Sequence, residues 1–152
     1  MRRAALVSAV TLGLAACAPI LEAPAGPLYD QTVSTAAAFC AARASGDAGA
    51  DADLVVPEVA AALRAEVAAG RPLPLHSPTA GGPCTAGRAW YLGGSRRFAE
   101  VRHAGGSDGL DLWLSGQGLI DDLVYGDGSG TLRQRLGLRS GTVPPPASLF
   151  RR

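Results

Sequence analysis

The sequence contains no lysine and no asparagine, and aromatic residues make up only 5% of it. Its formal net charge is +1 at pH 7. A nearly neutral chain lacks the basic surface that binds nucleic acid, so we expect no nucleic-acid partner. The apolar run near the start of the chain is shorter than the about 20 residues that a membrane-spanning helix needs.

The motifs of metal, hydrolase and phosphate chemistry are also missing. The chain contains no H-E-x-x-H, no G-x-S-x-G and no phosphate-binding loop between a strand and a helix. His76 and His103 are the only histidines, and neither has a metal-ligand neighbour in the sequence. We therefore predict no metal site and no cofactor.

Two short groups of charged residues have more than one interpretation. Asp47, Asp51 and Asp53 lack the glycine and glutamate of an EF-hand at the required offsets, so we interpret them as capping and solubilising a turn rather than binding calcium. The arginines at 96, 97 and 102 are interpreted as a solvated strand face that protects against aggregation. Contact with an anionic lipid or polymer is the alternative for these arginines.

The start of the chain is its most specific feature. Met1-Arg2-Arg3 is followed by a short apolar run and then by Leu14-Ala15-Ala16-Cys17. This segment resembles a bacterial lipoprotein signal peptide, and its last four residues match the lipobox at every position. The resemblance implies cleavage before Cys17, a diacylglycerol thioether on that cysteine, and fatty acylation, such as palmitate, of its amino group. An uncleaved signal anchor or an ordinary buried helix is the alternative.

The expected lipid anchor predicts both a location and a partner. Two or three acyl chains hold a protein on a bilayer far more firmly than one chain does, so the lipid bilayer is the expected partner through Cys17. Ala18 stands where an aspartate would retain a lipoprotein in the inner membrane. This favours the periplasmic face of the outer membrane in a Gram-negative host. An envelope protein is a second candidate partner.

The two other cysteines then form an even pair. Cys40 and Cys84 would lie in an oxidising compartment, where a disulfide is the expected state. The alternative is a free, reactive Cys40. That alternative has no support from a nearby histidine or a C-x-x-C motif.

Composition divides the chain into four segments. We expect the signal peptide at 1–16, the lipidated cysteine and a Pro-rich tether at 17–29, a globular α+β domain at 30–138, and a Pro-rich tail at 139–152. The run Pro144-Pro145-Pro146 predicts polyproline II in the tail. This tail is interpreted either as a disordered terminus or as a segment that docks on a partner.

Within the domain the pattern changes from helical to strand-like. A first helix is expected to begin at a cap formed by Asp30 or Thr32 and to end at Gly46, and a second is expected from Pro57 to Gly70. Alternating residues then predict antiparallel strands, followed by a helical turn capped by Thr131. The predicted strands are 86–92, 96–103, 110–115 and 119–125. The predicted apolar stripe of the first helix is Val33, Ala37, Cys40 and Ala44.

This order of elements resembles the NTF2-like (cystatin-like cone) superfamily. The residues that carry the resemblance are Ala41-Ala42-Arg43-Ala44-Ser45-Gly46-Asp47, Pro57-Glu58-Val59, Gly118-Leu119-Ile120-Asp121-Asp122-Leu123-Val124-Tyr125 and Thr131-Leu132-Arg133. Many members have tryptophan where this chain has Leu119. The resemblance implies N-terminal helices packed on a curved antiparallel sheet, with a pocket at the mouth of the cone. The superfamily includes both enzymes and binding modules, so the fold does not choose between them.

The anchor and the missing motifs together predict a non-catalytic binding or scaffolding module at the membrane. The alternative is an enzyme for a small envelope substrate, in which His103 would meet the carboxylate of Asp111, Asp121 or Asp122 in the cone pocket. Asp121 and Asp122 are adjacent on a predicted strand, so at most one of them points into a pocket. A purely structural envelope protein is the third hypothesis.

Overall fold

The computed structural model describes residues 21–22, 25–46, 49–75, 83–91, 96–104 and 109–140. The predicted signal peptide, Cys17, most of the Pro-rich tail and the residues Asp47 and His76 lie outside these ranges. Among the described helices, none has both the length and the apolar character that crossing a membrane requires.

Two helices precede the main strands, as the sequence predicts. Helix α1 spans Pro27–Ser45 and ends at Gly46, which has the left-handed φ of 70° that glycine adopts without a Cβ penalty. Helix α2 spans Pro57–Ala68. Each helix begins with a proline because the first helical position needs no N–H partner. Helix α1 therefore starts ahead of the predicted Asp30, inside the segment assigned to the tether.

The buried stripe of α1 differs from the predicted one. The buried residues of the helix are Thr32, Ala36, Phe39 and Cys40. Ala37 and Ala44 are exposed and Val33 is half-buried, so the predicted stripe was wrong apart from Cys40. Phe39 is the largest wholly apolar side chain of the helix, and its burial turns the helix away from a stripe made mainly of alanines.

The strands form an open antiparallel sheet in chain order. A two-residue strand, β1 (Leu21–Glu22), pairs with the end of β2 (Cys84–Tyr91), which is followed by β3 (Arg97–His103), β4 (Leu110–Leu114) and β5 (Ile120–Tyr125). A short helix, α3 (Leu132–Arg135), follows β5 and begins at a capping box formed by Thr131 and Gln134. The predicted α+β class, with helices and an antiparallel sheet, is confirmed.

The sheet has an inner face, which packs against α1 and α2, and an outer face. The inner core includes Phe39, Val59, Leu63, Ala99, Val101, Leu110, Leu112, Leu123 and Tyr125. The outer face carries Phe98, Trp113 and Val124, with Trp90 packed beside them. Burying one such apolar side chain contributes about 1.5–3 kcal/mol, so this inner cluster is the main source of stability.

Two irregularities in the pairing decide which side chains share a face. The register shifts between Ala86 and Ala89, and a Cβ on the intervening Gly87 would lie only 3.0 Å from the Cβ of Glu100. A second shift occurs where Trp113 and Leu114 pair with β5. Strict alternation would group Ile120 with Asp122, but this bulge leaves Ile120 in the inner core and Asp122 opposite Trp113.

Candidate functional site

One end of the inner face, which we name the cysteine end, contains Cys40, Cys84 and His103. The Sγ atoms of Cys40 on α1 and Cys84 on β2 lie 2.12 Å apart and their Cα atoms 5.3 Å apart, which is disulfide distance. The fold therefore brings together the two cysteines that the sequence paired. His103 is the cross-strand neighbour of Cys84.

The side chain of His103 lies on the same face of the sheet as that of Cys84, because the two residues are cross-strand neighbours. The backbone N–H of Ala104 donates to the carbonyl of Pro83 at 3.1 Å, so the adjacent pair of Cys84 and His103 is of the non-hydrogen-bonded type, in which side chains lie closest. His103 is buried, and neither ring nitrogen has a hydrogen-bond partner among the residues that the structure describes. The imidazole is thus a buried polar group beside the cysteine pair.

The opposite end of the inner face, which we name the arginine end, contains Arg97, Gln31, Thr35 and Gly118. Nη2 of Arg97 donates to Oε1 of Gln31 at 2.6 Å. The Thr35 hydroxyl donates to the carbonyl of Gly118 at 3.1 Å. Gly118 has a φ of 84°, and a Cβ there would lie 2.5 Å from Nε2 of Gln31. Glycine thus allows the turn to approach the side chain that holds Arg97.

The outer face carries a row of stacked aromatic rings. The ring centroids of Trp90 and Phe98 are 6.3 Å apart, and those of Phe98 and Trp113 are 4.8 Å apart. Nε1 of Trp90 donates to Oε1 of Glu100 at 3.0 Å. Asp111 is the cross-strand neighbour of Glu100 and so shares this face. This aromatic row is not among the features predicted above, although the alternation of β3 and β4 contains the signal for it.

Asp121 and Asp122 hold α3 against β5. Oδ1 of Asp122 accepts the backbone N–H groups of Leu123 at 2.9 Å and Arg133 at 3.0 Å. Burial raises the pKa of the Asp122 carboxyl, and these hydrogen bonds oppose the rise. Oδ1 of Asp121 and Oε2 of Glu58 accept the Arg133 guanidinium at 2.6 and 2.9 Å. The hydrogen bonds and ion pairs of the two aspartates therefore have a structural role: together with Glu58 they connect α2, β5 and α3.

Tyr125 fixes the segment that follows α2. Its hydroxyl donates to the carbonyl of Pro74, and the guanidinium of Arg135 lies 3.8 Å from the centre of its ring. Burial of the phenol raises its pKa well above the ordinary value. Tyr125 is therefore a neutral, structural side chain.

The candidate catalytic residues do not converge. His103 lies on the inner face, whereas Asp111 and Asp122 lie on the outer face, and Asp121 is held by Arg133. The enzyme hypothesis stays a prediction without a supporting contact among the described residues. In the same parts of the chain, no group of three or more histidines, cysteines or acidic residues could hold a metal ion.

Two interpretations of charged residues require correction. Asp51 is buried and forms an ion pair with Arg43 at 3.2 Å, whereas we expected it to cap and solubilise a turn. Arg97 is buried on the inner face, whereas we expected a solvated strand face. Arg96 and Arg102 are exposed. The three arginines do not form one solvated face because alternate strand residues point to opposite faces of the sheet.

The geometry thus defines an α+β domain with helices on one face of an antiparallel sheet and buried polar side chains at both ends of that face. No protein-family model, curated protein or solved structure matches the chain.

Proposed function

We propose that this protein is a lipid-anchored envelope lipoprotein whose domain serves as a non-catalytic binding or scaffolding module on the periplasmic face of the outer membrane. The observation that carries the proposal is the run Leu14-Ala15-Ala16-Cys17 after a short basic and apolar leader. Acylation of Cys17 would make the bilayer the partner of the chain. A partner protein in the envelope is part of the same proposal.

The cysteine pair supports an oxidising location. Cys40 and Cys84 lie at disulfide distance and are separated by 44 residues in the sequence. A crosslink over such a loop stabilises a domain by about 4 kcal/mol in the chain-entropy description. Disulfides persist outside the cytosol and are rare inside it, which agrees with a periplasmic domain.

We extend the proposal to the fold, as a variant of the NTF2-like cone. Two features of the described residues support it: both long helices cover one face of the sheet, and the segment before α2 joins the sheet edge. There the N–H of Val56 donates to the carbonyl of Ile120 at 2.9 Å, and the N–H of Ile120 donates to the carbonyl of Leu54 at 2.8 Å. The resemblance implies a ligand pocket at the mouth of the cone.

The anchor is tested by replacing Cys17 with serine in the full chain and following membrane fractionation and incorporation of labelled palmitate. We expect the wild-type protein to carry label and to sediment with outer membranes, and the variant to be unlabelled and soluble in the periplasm. The double variant Cys40→Ser/Cys84→Ser is the matched control and should keep both label and membrane association. A Cys17→Ser protein that still carries label would refute the proposal.

A further inference from the structure

Arg97 is a buried cation that has no negative partner among the residues that the structure describes. Its residue exposure is only 3%, and arginine presents a planar, positively charged guanidinium. The hydrogen bond to the neutral amide of Gln31 occupies Nη2, whereas Nε is buried with no partner. Among the residues that the structure describes, no carboxylate lies within ion-pair distance of Arg97.

Arg133 shows how the same chain satisfies a buried arginine. Its side chain is also largely buried, but it contacts the carboxylates of Asp121 and Glu58 and two backbone carbonyls. An uncompensated buried charge is strongly unfavourable, and folded proteins normally pair it. Arg133 thus has two carboxylates and four acceptor atoms, whereas Arg97 has no carboxylate and one acceptor atom, Oε1 of Gln31, among the described residues.

The fold holds Arg97 in a defined position close to the surface. Gln31 accepts from Arg97, and its own Nε2 faces the carbonyl of Gln117 at 3.5 Å. Thr35 fixes the same turn through Gly118. Gln31 is exposed, so the side chain that accepts from the guanidinium also reaches solvent. A preorganised donor of this kind binds an anion without first having to be ordered.

We propose that Arg97, oriented by Gln31, binds the carboxylate of a small organic monoanion. This inference deepens the proposed binding function and rests on it. The planar guanidinium matches a carboxylate, and a single cation balances a monoanion better than a phosphate dianion. The cross-strand neighbours of Arg97 are Tyr91 and Leu114, whose rings and methyl groups suit the apolar body of such a ligand.

The test uses the full chain in a nonionic detergent, with benzoate as the probe and benzamide as its neutral analogue, at constant ionic strength. Benzoate is expected to raise the Tm in a saturable way and benzamide is not, because ligand binding stabilises the folded state by mass action. Arg97→Met should weaken benzoate binding about tenfold or more. Arg102→Met, an exposed arginine of the same strand paired with Glu100, is the matched control and should bind as the wild type does.

A second variant keeps the test decisive if Arg97→Met does not fold. Gln31→Glu places a carboxylate where Oε1 now accepts from Arg97, so it should raise the Tm without ligand and abolish the response to benzoate. Gln117→Glu adds the same charge to an exposed neighbour whose side chain does not bond Arg97, and it should keep the response.

Three outcomes would overturn the inference: an equal response to benzoate and benzamide, a Gln31→Glu variant that still responds to benzoate, or inorganic phosphate that stabilises more than benzoate does. Each would leave the fractionation of the Cys17→Ser protein unchanged, so failure of the anion site and failure of the anchor are separable.

Discussion

The two ends of the interface between α1 and the sheet are held together by different interactions. At the cysteine end, Cys40 lies at bonding distance from Cys84, and the neighbouring His103 is left without a hydrogen bond. At the arginine end, the link is a hydrogen bond between Gln31 and a buried guanidinium. The comparison indicates that the cysteine end adds a stabilising link to the shared apolar core, whereas the arginine end retains a buried charge that stability alone would not favour.

The largest expected effect is loss of the link at the cysteine end. The double variant Cys40→Ser/Cys84→Ser should lower the free energy of unfolding by about 4 kcal/mol, because the unfolded chain regains the freedom of a 44-residue loop. Urea unfolding with and without a reductant measures the change. The reductant should shift the wild type and leave the variant unaffected. Two titratable thiols in the unreduced protein would contradict the prediction.

The next effect concerns the turn that supports the arginine end. Gly118→Ala should destabilise by about 1–2 kcal/mol through its left-handed backbone, and by about 1 kcal/mol more because the new Cβ displaces Gln31. Gly128→Ala is the matched control, since its φ is 79° but no atom lies within 4 Å of the new Cβ. Thermal unfolding of both variants gives the difference. Equal losses would show that the contact with Gln31 does not matter.

A smaller effect of opposite sign is expected at His103. Leucine has a similar size and no polar atoms, so His103→Leu removes two buried nitrogens that lack partners and should stabilise the protein by about 1 kcal/mol. Denaturant unfolding at neutral pH measures this gain. A loss of stability would mean that the imidazole makes a polar interaction in solution. The cysteine end would then not contain an unpaired polar group.

Much of the fold could be predicted from the sequence, because the helices, the strands and their faces depend on local sequence patterns. The alternation from Arg97 to His103 assigns each β3 residue to its face correctly. The helices end and begin at glycine and proline for backbone reasons. The cysteine pair could be predicted because excluding Cys17 leaves two cysteines, without any need for distances.

The rest depends on contacts that no local pattern contains. The bulge at Asp121 separates Ile120 from Asp122, and it results from how β5 pairs with β4 and with the segment before α2. The hydrogen bond between Gln31 and Arg97 joins residues that are 66 positions apart. The rotation of α1 about its own axis, which decides which of its residues are buried, follows from the packing of Phe39 in the core. Each of these features is determined by tertiary packing, which cannot be predicted from strand alternation or helical periodicity.

The smallest expected change in stability is at Asp122, a buried polar group that is hydrogen-bonded. It provides a comparison for His103, a buried polar group without a hydrogen bond among the described residues. Asp122→Asn keeps an oxygen that can accept the N–H groups of Leu123 and Arg133, so stability at neutral pH should change by less than about 1 kcal/mol. Asp122→Ala leaves both donors unpaired and should be clearly less stable. If the alanine variant matched the asparagine variant, hydrogen bonding would not explain why buried polar groups are tolerated here.

The pH dependence of the same pair of proteins gives a further check on Asp122. Burial raises the pKa of this carboxyl in the folded state above the ordinary 3.8, so the folded state binds the proton more tightly than the unfolded chain does. The contribution of Asp122 to stability is therefore greatest below pH 3.8 and is lost as the pH rises through the folded-state pKa. Asparagine does not titrate, so the wild type should gain stability relative to Asp122→Asn on acidification. Urea unfolding of both proteins from pH 7 to the acid limit measures this difference, and a relative loss by the wild type would mean that hydrogen bonding to the ionised carboxylate outweighs its burial.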